Sequence, residues 1–183
     1  MHWLGWMKTR ALSLAALLAL TALLPLAATT LQRLSVDDLV GKSTGIVRAT
    51  AAPVSSFQRS GMIYTTYRLQ VSEALKGSPG ATVEVAVPGG DYRGLHQSVA
   101  GSPALRPGIE YVVFYWTGPS GTNYIVGLGQ GLFEVHKEPS GEVVLRRRAM
   151  STEVFGADGR EPDHGLALRW KELQAKAARQ AGQ

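Results

Sequence analysis

The sequence predicts a mainly β fold: a small antiparallel β-barrel, with a β-sandwich as the alternative, preceded by a short helix and followed by an amphipathic one. Three observations lead there. Ile63, Thr65, Tyr67, Leu69 and Val71 alternate with Tyr64, Thr66, Arg68, Gln70 and Ser72, the period of two that a half-buried strand requires. Further β-rich runs are separated by Gly77-Ser-Pro-Gly80, Gly118-Pro-Ser-Gly121 and Glu138-Pro-Ser-Gly141, whose glycines and prolines are turn formers. A sustained helical period appears near the C-terminus, where Leu166, Trp170, Leu173 and Ala177 recur on one face.

In chain order, residues 1–28 read as a secretory signal peptide. Lys8 and Arg10 precede an apolar run from Ala11 to Leu26, and small residues Ala27 and Ala28 follow, with cleavage expected after Ala28. A membrane-spanning helix needs roughly 20 apolar residues; this run is shorter, and Pro25 suits its end. The alternative is a retained N-terminal anchor with Trp3 and Trp6 at the membrane interface, the single route by which a membrane would be engaged. Export places the working chain in the periplasm or outside the cell, away from nucleotide pools and the genome. The chain has no cysteine, which excludes disulfides and a cysteine-linked lipid. Without Lys8 and Arg10, seventeen basic side chains face fourteen acidic ones, a balance of +3 that selects no polyanion, so nucleic acid is not expected as a partner.

Residues 29–44 read as a tether and a short helix. Ser35 is the expected N-cap, Asp38 lies three positions on, and Gly41 ends the helix. Residues 45–150 form the β domain. Ile46 to Thr50 is a strand, followed by a loop through Pro53, Ser55, Ser56 and Gly61, then the long alternating strand. Val83, Val85 and Val87 repeat the alternation until Pro88-Gly89-Gly90 breaks it, and residues 89–108 make the longest connection. Tyr111 to Trp116 is apolar on both faces, as expected of a central strand covered on each side. Tyr124 to Leu128, Leu132 to His136 and Glu142 to Arg148 complete the strands. Residues 151–183 read as a linker, Phe155 to Pro162, and a helix capped by Asp163 whose apolar stripe Leu168 fits poorly.

No motif dictates a reaction. Gly41-Lys-Ser-Thr44 resembles the end of a phosphate-binding loop, but Val36 stands where the pattern needs its first glycine. Gly127-Leu-Gly-Gln-Gly131 leads into a strand and not into the helix N-terminus that would meet a pyrophosphate, so it reads as a bulge or close backbone approach. Asp91, His96 and Ser98 share one loop and lack the rigid setting of a nucleophilic triad. The histidines after the leader, His96, His136 and His164, lie in separate segments. Asp158, Glu161 and Asp163 match no calcium-loop spacing and read as a polar linker. No cofactor, metal or catalytic residue is therefore expected. Arg146-Arg147-Arg148 alternates across a strand, and the default reading is an edge strand whose charges deter sheet-to-sheet pairing.

Several blocks carry a resemblance: Tyr67-Arg-Leu-Gln-Val-Ser-Glu-Ala-Leu-Lys-Gly77, Val87-Pro-Gly-Gly90, Gly101 to Gly108 with Tyr111-Val-Val-Phe114, and Gly127 to Val135. Their order resembles a group of uncharacterised exported bacterial proteins over Leu34 to Val135. The plan is also similar to netrin-like domains, the barrel found in tissue inhibitors of metalloproteinases. That resemblance implies an OB-type barrel. It carries no functional residue across, because the cysteines of those domains have no counterpart here.

The expected function is that of an exported, non-enzymatic domain binding a protein or envelope component. Tyr92, Arg93 and His96 in the long loop are the expected contact residues, since loops on a rigid scaffold carry function. The alternatives are a peptidase inhibitor or chaperone of a co-secreted protease, and a hydrolase using the loop residues.

Overall fold

The computed structural model describes residues 31–150, 152–156 and 158–182, so the expected signal peptide lies outside the described residues. Among these residues no helix is long and apolar enough to cross a membrane. The chain is mainly β, as its alternation predicts, with two helices described.

Helix α1 (Val36–Lys42) starts where the sequence places it. Ser35 Oγ accepts from the Asp38 N–H at 3.1 Å and the Ser35 N–H donates to Asp38 Oδ2 at 2.9 Å, a complete capping box. Strands β2 (Gly45–Arg59) and β3 (Met62–Lys76) follow as a long antiparallel hairpin. The loop expected through Pro53, Ser55 and Ser56 is instead the outer half of β2. Pro53 stays in register with Tyr67 and a register shift leaves Val54 without a partner on β3, at a point where β2 has passed beyond its pairing with the strand on its other side.

Strands β4 (Thr82–Pro88), β7 (Glu110–Thr117) and β8 (Asn123–Ile125) join that hairpin, with β5 (Gly90–Tyr92) and β6 (Leu95–Gln97) forming a separate hairpin between them. Strand β8 pairs in parallel with β4 and antiparallel with β7. This links both ends of the run β7-β2-β3-β4 and closes five strands into a ring. All five send side chains into one buried cluster, among them Val47, Leu69, Val85, Val113 and Ile125.

Strand β7 divides two cores, as its two apolar faces predict. Tyr111, Val113 and Tyr115 enter the ring cluster, whereas Val112 and Phe114 enter a second cluster with Leu39, Phe133 and Leu173. The sheet continues from β7 through β9 (Leu132–Lys137) and β10 (Val143–Arg147) to β13 (Leu166–Arg169). Gly127 to Gly131 makes the expected close approach, but as a 3-10 turn over Leu128–Gly131 and not within a strand. A Cβ on Gly131 would stand 2.5 Å from the Val126 carbonyl oxygen.

The C-terminal segment differs from its expected form. Helix α2 (Trp170–Ala181) begins after Leu166–Arg169, which pairs with β10, so Asp163 caps nothing. Leu168, the misfit in the helical stripe, is the buried residue of that strand. Phe155 to Pro162, read as a linker, contributes to β11 (Glu153–Gly156) and β12 (Gly159–Pro162). The expected tether also gains structure: β1 (Leu31–Gln32) pairs in parallel with β11, and Gln130 bridges the Leu34 N–H and the Gln32 carbonyl at 2.8 Å each.

Candidate functional site

Hairpin β5–β6 carries the three expected contact residues. Its turn has two residues, Arg93 and Gly94, with φ of 50° and 79°, the left-handed pair of a tight type I′ connection. The base of the hairpin is clamped to β3. Gly89 N–H donates to the Ile63 carbonyl at 2.7 Å, Ile63 N–H donates to Gln97 Oε1 at 2.6 Å, and Thr65 Oγ1 donates to the Gly89 carbonyl at 2.9 Å. Gly90 has φ of 117°, and a Cβ there would overlap the Thr65 hydroxyl, so the strand can lie this close only with glycine.

The tip stands in solvent. Leu95 is 58% exposed, and the Arg93 guanidinium lies over the Tyr92 ring at 5.2 Å. Tyr92 pairs with Leu95 across the hairpin, and Asp91 pairs with His96, so strand alternation sends Tyr92 and His96 to opposite faces. The three residues share one hairpin but not one flat surface. His96 Nδ1 lies 2.8 Å from Asp91 Oδ1, with both side chains largely exposed. Ser98 lies beyond β6 in a cleft with Tyr111, Glu134 and Arg147, and neither His96 nor Asp91 lines that cleft.

The other charged candidates are divided among separate partners. Arg146 donates to Glu138 at 2.7 Å, Arg148 lies 3.4 Å from Glu134, and Arg147 Nη2 donates to Asp163 Oδ1 at 2.8 Å. Strand β10 runs between β9 and β13 and is not an edge, which corrects the expected role of this arginine run. Of the acidic trio, Asp163 is held by Arg147 and Glu161 pairs with Arg33 at 2.9 Å.

A second feature escaped the sequence reading. A cleft of about 580 Å³ opens where the β2–β3 turn, the end of β4 and the β7–β8 connection meet. Arg59, Tyr64, Pro88, Trp116, Ser120 and Tyr124 line it, over a floor that includes Ala86 and Ile125. Its aromatics form a row that Phe57, outside the lining, extends. Phe57 stacks on Tyr64 at 5.3 Å, Tyr64 meets Tyr124 edge-on at 6.0 Å, and Tyr124 meets Trp116 at 5.3 Å. The available signal was Tyr64, an aromatic on the otherwise polar face of the alternating strand. Phe57 is near it in the chain, but Tyr124 lies sixty positions on and cannot be paired with it from spacing.

Searches against protein-family models, curated proteins and solved structures found no match for this chain.

Proposed function

We propose that this chain is an exported, non-enzymatic binding domain that holds a protein or envelope component through hairpin β5–β6. The carrying observation is the hairpin itself: a clamped base and a solvent-exposed tip presenting Tyr92, Arg93 and Leu95. Tyrosine and arginine are the side chains that most often anchor protein interfaces, and a rigid support lowers the entropy lost on binding. The His96–Asp91 pair favours the same reading. It is open to water and has no nucleophile within the pair's described hydrogen bonds, so it suits a polar rim contact better than general-base catalysis.

We also infer that the five-stranded ring is an OB-type barrel. Closure through β8 and a single interior cluster fed by all five strands support that architecture. Export rests on the charged, apolar and small-residue order of residues 1–28.

The test replaces Tyr92, Arg93 and His96 with Ala together. Capture from an envelope extract should lose the species retained by the unaltered chain, while circular dichroism and the urea midpoint stay unchanged. Retention of the same species by a folded triple variant overturns the assignment of this surface.

A further inference from the structure

We propose that the aromatic cleft beside the β2–β3 turn binds an extended, proline-rich peptide segment bearing a carboxylate. The inference shares the premise that the chain is a binding domain but concerns a surface separate from the hairpin tip.

The argument begins with the donors and acceptors of the lining. Arg59 offers only donors, and the Trp116 indole N–H is a donor only. Tyr64, Tyr124 and Ser120 add hydroxyls, whereas the described lining contains no carboxylate and no carboxamide. Such a wall suits a ligand rich in acceptors and poor in donors. A polyproline helix meets that description: its carbonyls are unpaired and solvated, and each proline lacks an N–H. Its compact pyrrolidine rings also pack against aromatic side chains, and the conformation is set before binding.

A saccharide presents the opposite chemistry, since every hydroxyl brings a proton that needs an acceptor. In OB-type barrels the loops at this end of the ring take oligosaccharides or oligonucleotides, but the described lining offers sugar hydroxyls no carboxylate or carboxamide, only side-chain hydroxyls of which two already accept from Arg59, and it lacks the several cations that a phosphate backbone calls for. The composition of the wall therefore favours the peptide.

Charge complementarity supplies the carboxylate. Arg59 is the one charged residue in the described lining, and its described hydrogen bonds go to neutral oxygens, Ser120 Oγ at 3.2 Å and Tyr124 Oη at 3.5 Å. No described carboxylate pairs with it, unlike Arg48, Arg68 and Arg147, each of which has its own. An incoming Glu, Asp or C-terminal carboxylate would take up a charge-assisted bond that this guanidinium lacks. Trp116, 40% exposed at the mouth, is the platform that remains open for a proline ring.

Calorimetric titration of the full chain with a short synthetic peptide of prolines interrupted by glutamates tests this, with a neutral polyproline peptide and an N-acetylglucosamine oligomer as the other arms. Saturable binding of both peptides, tighter for the acidic one, is expected. Arg59→Gln should weaken the acidic peptide about tenfold, a loss on the scale of one charge-assisted bond, and leave the neutral one unchanged. Trp116→Ala should remove both, and Tyr124→Phe, which keeps the ring, should weaken both modestly. The Tyr92/Arg93/His96 triple variant should bind the peptides as the unaltered chain does, so that failure of this site and failure of the hairpin reading remain separate results. Binding of the saccharide without the peptides, no binding of either peptide, or equal affinities in folded Arg59→Gln and unaltered chains overturns the proposal.

Discussion

Arg147 and Asp163 show how a single pair can stand behind an entire segment. Their side chains are 9% and 2% exposed, and the same carboxylate also accepts the Met150 N–H at 2.8 Å. Burial alone would raise the Asp163 carboxyl. The Arg147 hydrogen bonds and charge, with backbone N–H donors from Met150 and Gly165, outweigh it and hold the group below its ordinary value. Because the folded value is the lower one, the pair's stabilisation is present above the unfolded carboxyl range near 3.9. It is lost as pH falls through the folded value. Asp163→Ala strands a buried guanidinium and should cost about 3–5 kcal/mol at neutral pH, read from urea unfolding, with a smaller deficit once acid protonates the unaltered chain. Glu110 shifts in the same direction, chiefly through its hydrogen bond with Arg48. The sequence predicts Asp163 as a helix cap because aspartate ahead of an apolar stripe is a favoured N-cap. Its real partner lies sixteen positions upstream, a separation that no local rule spans.

At the scale of elements, what could be read was what depends on near neighbours. The alternation of β3, the capping box of α1 and the two apolar faces of β7 are local patterns, and each appears as expected. What depends on distant pairing departs from the local pattern. Leu166 and Trp170 fall at helical spacing by coincidence; pairing of Leu166–Arg169 with β10 decides the matter in favour of strand. Pro53 hides the outer half of β2 from a sequence reading; it keeps its register with Tyr67, next to a bulge at Val54 and beyond the reach of β7, where its missing N–H breaks no ladder bond on that side. Helix α2 then packs through Trp170, Leu173 and Ala177 against the second core. Leu173→Ala should cost about 2–5 kcal/mol, while Leu166→Ala, at an exposed strand position, should stay within about 0.5 kcal/mol. Equal losses at the two positions in paired urea titrations would contradict the boundary at Trp170.

Over the whole molecule, the five-stranded ring fixes two surfaces that the chain cannot hold in isolation. The hairpin projects from the β4–β7 connection and is clamped to β3, and the cleft draws its walls from turns that only ring closure brings together. That Tyr92, Arg93 and His96 lie in the connection between β4 and β7 is legible from its composition, whereas the paired strands they form are not, because residues 89–108 read as loop. The cleft is not legible, since Arg59, Trp116 and Tyr124 meet only after β8 has joined β4 to β7. The central claim is that this scaffold holds a partner at the tip of β5–β6. Photo-crosslinking tests it most directly, with a benzophenone side chain placed at Arg93 in one chain and at Glu172, exposed on α2, in another. The account predicts a discrete adduct with one envelope species from position 93 and none from position 172. No adduct from 93, or the same adduct from both positions, would contradict it.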